Sequence, residues 1–168
     1  MPFTDTLTIL AKLKTRLAAL ELEPGTPLFD KVEYYSSTDL LRALAELRVF
    51  KNRVCFIVPG DDDFVNEVSG RSLNTVVERH VFLLLADRDY GRRQSAATGD
   101  DNTTGVVAMK DRVVNELTGK NLDSRQVLVR PVNGTPLLIQ GPKREEAAGR
   151  EAWSLELVVE CGQVLTQH

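Results

Sequence analysis

The chain has 168 residues, of which 42% are hydrophobic and 27% charged, with a formal net charge of −3 and a pI of about 5.5. That supplies one compact core and too little length for two, so a single domain spanning 1–168 is expected. The acidic balance, 21 Lys and Arg against 24 Asp and Glu, disfavours tight binding to nucleic-acid phosphates. No apolar stretch reaches membrane-spanning or signal-peptide form, which points to a cytoplasmic protein with no membrane partner.

Residues 4–22 predict an amphipathic helix: Leu7, Leu10, Leu13, Leu17 and Leu20 recur at spacings of three and four, Thr4 or Asp5 offers an N-cap, and Pro24-Gly25 ends it. Residues 31–35 form a short strand. A second helix then opens at Ser37 or Thr38, with Leu40, Leu41, Leu44 and Leu47 as its apolar stripe. Residues 53–59, Arg-Val-Cys-Phe-Ile-Val-Pro, are rich in β-branched and aromatic side chains and predict a buried strand. Gly60-Asp61-Asp62-Asp63 is expected to break it as an acidic turn. Residues 72–86 predict the longest strand, with apolar side chains concentrated in its second half and the first half projecting from the core.

A polar, glycine-containing stretch, 88–103, is long for a connection in a compact domain and is expected to be a flexible loop that orders against a partner. Its Arg88, Arg92 and Arg93 are candidate contacts to a neighbouring subunit or another protein. A third helix runs from Thr103 or Thr104 to Leu117, with Val106, Val107, Met109, Val113, Val114 and Leu117 on its apolar face and Gly119 as a left-handed cap.

In the last third, 127–132 and 135–140 flank Asn133-Gly134, a strong hairpin signal, with Pro131 and Pro136 placed symmetrically about it. Residues 151–161 alternate: Trp153, Leu155, Leu157, Val159 and Cys161 on a buried face, Ser154, Glu156 and Glu160 opposite. Strands and helices do not alternate regularly. The order therefore predicts an α+β fold, a mostly antiparallel sheet packed against two to three helices.

Evidence for catalysis is thin. The two histidines are His80, inside the long strand with no evident partner, and His168 at the C-terminus. Ser72 or Ser154 could complete a Ser/His/Asp set, but no nucleophile-elbow pattern surrounds either. Asp61, Asp62 and Asp63, with Glu67, lack calcium-loop spacing, and no Cys/His spacing suits zinc. Cys55 and Cys161 lie in apolar runs and read as buried thiols in a reducing compartment. No cofactor is implied.

The layout resembles the tail terminator proteins of long-tailed bacteriophages, including the Mu-like prophage group. The likeness covers most of the chain from about Pro27. It rests on the order of Leu40-Leu41-Arg42-Ala43-Leu44-Ala45-Glu46-Leu47, Val54-Cys55-Phe56-Ile57-Val58-Pro59-Gly60, Val81-Phe82-Leu83-Leu84-Leu85-Ala86-Asp87-Arg88, Asn115-Glu116-Leu117-Thr118-Gly119 and Ala152-Trp153-Ser154-Leu155-Glu156-Leu157. The resemblance implies a non-enzymatic virion protein, made in the host cytoplasm and ending in the phage tail. It would form a homohexameric ring on the major tail tube protein, stop tube growth and present a docking face to a head-completion or neck protein. DNA would pass through the lumen without specific binding, and Asp61, Asp62 and Asp63 are candidates to line that lumen and repel it. Two other classes remain open: another neck or head-completion connector, and a small hydrolase or transferase.

Overall fold

The computed structural model describes residues 5–49, 52–69, 72–87, 105–122, 127–137 and 152–166. In chain order these form α1 (Thr6–Ala18), β1 (Glu21–Glu23), β2 (Thr26–Pro27), β3 (Lys31–Tyr34), a 3-10 turn (Ser37–Asp39), α2 (Leu40–Val49), β4 (Val54–Ser69), β5 (Ser72–Ala86), α3 (Val106–Leu117), β6 (Val127–Leu137) and β7 (Ala152–Thr166). Five strands make one sheet in the order β3-β4-β5-β7-β6, antiparallel except for the parallel β3–β4 pair, and β1–β2 form a small separate hairpin. The α+β class read from the element order is the class observed.

Strand alternation divides the core in two. Odd-numbered Val77, Val81, Leu83 and Leu85 of β5, with Leu155, Leu157, Val159 and Cys161 of β7, bury against Ile9, Leu13 and Leu17 of α1 and Val106, Met109, Val113 and Leu117 of α3. Even-numbered Val54, Phe56 and Val58 of β4, with Leu84 and Ala86, meet α2 through Ala43 and Leu47. The two faces thus carry different helices: α1 and α3 on one, α2 on the other. Both cysteines are buried, and burial pushes the Cys55 thiol well up from its ordinary range.

Several expectations are corrected. Helix α1 is capped by Asp5, which accepts from the Thr8 N–H at 2.9 Å, but it ends at Ala18. Leu20 lies in the connection after the helix and Leu22 in strand β1 of the β1–β2 hairpin, whose turn is Pro24-Gly25, with Gly25 at φ +82°. In α2 the buried pair is Ala43 and Leu47, while Leu41 is 81% exposed. Leu41 sits about 100° around the helix from Leu40, off the sheet-facing stripe.

The acidic run 60–63 does not end a strand. β4 continues to Ser69 because β5 supplies a partner for each residue from Asp62 onward, and a bulge between Pro59 and Asp62 absorbs the extra residue. The hairpin at Asn133-Gly134 does not form either. β6 is one strand along β7, with a bulge between Pro131 and Asn133, and Gly134 faces Leu155 in register. A long, continuous partner strand offers more backbone pairing than a local turn. Val129 exchanges backbone bonds with Gly119 and Lys120 on the side away from β7, and Pro131 shares its phase, so its missing N–H removes no bond to β7.

The boundaries of β5 match the sequence reading, and Gly119 is left-handed at φ +65° after α3. The loop 88–103, with Arg88, Arg92 and Arg93, lies outside the described residues.

Candidate functional site

On the α2 face, a groove of about 740 Å³ runs between the helix and strands β4, β5 and β7. Leu40 and Leu44 of α2 form one wall, Phe82, Leu84 and Leu137 the floor and far end, and Asp61, Asp63, His80 and Glu156 a polar end. The floor follows from the pleat. Even-numbered residues of β5 face this side, and where α2 does not reach they are only partly covered by the described residues.

His80 is the centre of the polar end. Its Nδ1 lies 2.7 Å from Glu156 Oε1 on β7, and its Nε2 lies 3.2 Å from Asp63 Oδ2 on β4. The sequence suggested no partner for His80; the fold supplies two, from strands on either side. The Glu156 hydrogen bond raises the His80 pKa most, Asp63 adds to it, and desolvation opposes both. As an imidazolium, the ring donates from both nitrogens and ties three strands together. The carboxylates sit on opposite ring edges, so they do not converge on one point, and among the described residues no group of side chains is arranged to hold a metal ion. Ser154 lines the same groove, but its register partner is Leu84, four residues along β5 from His80. With both ring nitrogens engaged by carboxylates, His80 has none directed at Ser154.

The three aspartates do not act as one patch. Asp62 pairs with Arg79, whose Nη1 also donates to Thr6 Oγ1 of α1 at 2.8 Å, so Asp62 belongs to the α1 face. Asp63 belongs to the groove face with His80, and Asp61 lines the groove at the bulge. Two of the three carboxylates therefore carry cationic partners and face opposite sides of the sheet.

Gly60 makes this packing feasible. A Cβ there would lie 2.7 Å from Phe82 Cε2 and 3.1 Å from His80 Cβ. Gly60→Ala should push the Phe82 ring into the groove and cost about 1–2 kcal/mol, since the ring has open space to enter. An unchanged urea midpoint together with an unmoved Phe82 ring resonance would show that the approach is looser than this.

The His80 shift has a definite sign. Its folded pKa is raised, so its contribution to stability is complete below the unfolded value of about 6.5 and is lost as pH rises through the folded value. Melting temperatures of the wild type and His80→Asn should differ most in mild acid and converge toward alkaline pH. A gap that widens with rising pH would contradict the two carboxylate contacts.

No protein-family model matches the chain, and no curated protein does. Among solved structures, a chain of the "Virion of native gene transfer agent (GTA) particle" is similar over 76% of this chain and 92% of that one, at 15% identity and a TM-score of 0.37. At that score the arrangements coincide only in part, and no function is taken from it.

Proposed function

We propose that this chain is a non-enzymatic structural protein of a phage-like particle, a subunit of a homohexameric ring that caps the tail tube and offers the docking face for the head. The tail assignment rests on the ordered resemblance to tail terminator proteins. The structural observation that favours an assembling subunit is the far half of β4. Beyond its short pairing with β3, the outer side of β4 has no strand partner among the described residues, and there Phe64 is 63% and Val68 76% exposed, with Val65 beside them. Exposed apolar side chains along an open strand edge are normally suppressed in a protein that stays alone, and they suit one that is covered on assembly. His80, with both nitrogens engaged, is poorly placed to serve as a general base, which favours a binding role over the hydrolase alternative.

In this reading the ring binds the major tail tube protein on one side and a neck protein on the other, and DNA passes through its lumen. Asp61, Asp62 and Asp63 are not carried forward as the lumen lining, because they do not share a face and two of them are paired. Negative-stain microscopy of the purified protein mixed with tail tubes tests the proposal. Rings with a central hole at tube ends are expected. Rings found only on portal-bearing heads would transfer the chain to the connector class, and a protein that leaves tubes uncapped would refute the role.

A further inference from the structure

The groove on the α2 face carries a charge pattern that suggests what fills it. Its floor is apolar, and its polar end holds Asp61, Asp63 and Glu156 against one imidazolium, a net charge of −2 when His80 is protonated. The complementary sequence occurs in this same chain. Residues 88–93, Arg-Asp-Tyr-Gly-Arg-Arg, carry three arginines against one aspartate, a net +2, around a single aromatic residue, Tyr90. We propose that the groove of one copy receives the 88–93 segment of a second copy, with Tyr90 over the Phe82 and Leu84 floor and Arg92 and Arg93 at the acidic end.

A neighbouring copy is a better donor than the chain itself. The segment leaves the sheet after Asp87, an odd-numbered position on the α1/α3 side, and the chain re-enters at Gly105, whose N–H the buried Asp87 carboxylate accepts. Both ends are therefore anchored on the face opposite the groove. A chain's own segment would have to cross the end of the sheet and double back along β5 to reach it, whereas a neighbour's need not. A contact in which one surface of each copy meets a different surface of the next is head-to-tail and closes into a ring when its rotation closes. The inference thus rests on the ring reading and names the contact that would build it.

The test uses the full chain with two variants, Asp61→Arg and Arg92→Glu, each followed by sedimentation over a concentration series at low and physiological salt. Asp61 is exposed at a bulge, so the fold should tolerate the change; circular dichroism checks it, and Asp61→Asn serves as the milder form. Each charge reversal alone should weaken self-association at least about 10-fold through like-charge contact. Mixing the two variants should restore it, because alternating copies then meet only opposite charges. Added salt should weaken the wild-type assembly. Wild-type assembly by either variant alone, or failure of the mixture to recover when a single chain bearing both changes does, would overturn the proposal. Restored rings that do not bind tail tubes would leave the contact standing and remove only the tail-capping role.

Discussion

Phe56→Ala should lower the unfolding free energy by about 3–5 kcal/mol, the cost of deleting a large, fully buried aromatic side chain. Phe56 has no exposed surface and meets Tyr35 edge-on, with ring centroids 5.2 Å apart and planes at 66°. Lys31 Nζ lies 5.5 Å from its ring centroid and also bonds Glu46 of α2 at 3.0 Å, so the ring sits beneath the contacts that hold α2 to the sheet. The Tyr35 hydroxyl donates to the same Glu46 carboxylate at 2.7 Å; burial and this bond push the tyrosine pKa up, while Tyr35 and Lys31 hold the Glu46 carboxyl below its usual range. Among the described residues the α2-side core is the smaller of the two, so one lost ring is a large fraction of it. The variant should also loosen the Leu40 and Leu44 wall of the groove. A urea midpoint equal to that of the wild type would mean that this face contributes little to stability.

Trp153, which the alternation of 151–161 places on a buried face, is expected to matter less. It lies on the buried face of β7 but is only half-buried, and Lys110 Nζ stands 4.5 Å from the ring centroid. Trp153→Ala should cost about 1–2 kcal/mol, in proportion to the smaller apolar area it covers. The alternation correctly identified its face. It could not tell how much of so large a ring the neighbouring side chains would cover.

That contrast marks what was legible. Patterns carried by many residues in one element survived: the full span of β5, the apolar face of α3, the left-handed Gly119 and the alternation of β7. Readings carried by two or three residues of strong local preference did not. Gly60-Asp61-Asp62-Asp63 and Asn133-Gly134 both favour turns, yet each lies within a strand because an adjacent strand continues past it. There tertiary pairing outweighs a local propensity worth about 1 kcal/mol. The groove was illegible for a related reason. Its polar end joins Asp63, His80 and Glu156 from three strands, and their meeting depends on a register across two strand pairs and one bulge. Only the even phase of His80 and Glu156 on their own strands could have hinted that they share a face.

Asp87 is the other residue whose importance the sequence concealed, and Asp87→Ala should cost about 1.5–3 kcal/mol, the range for a hydrogen bond to a charged group. Its position just after the apolar end of β5 reads as the first residue of a polar loop. In the fold it is fully buried and accepts the N–H of Gly105, the N-cap of α3, which has φ +82°. A carboxylate there offsets the partial positive charge of the helix N-terminus, where the N-cap Gly105 has no side chain to supply an acceptor. Asp87→Asn retains an acceptor oxygen and should lose less than the alanine variant. Amide exchange should separate this effect from general loosening: protection in the first turn of α3 should fall in Asp87→Ala while that of the central β5 amides falls less. Because the same bond holds the two ends of the 88–104 connection together, Asp87→Ala should also weaken self-association through 88–93 under conditions where the sheet remains folded. Unchanged protection at the start of α3 would show that the helix is held by its apolar face alone and that Asp87 is not the tie between these ends.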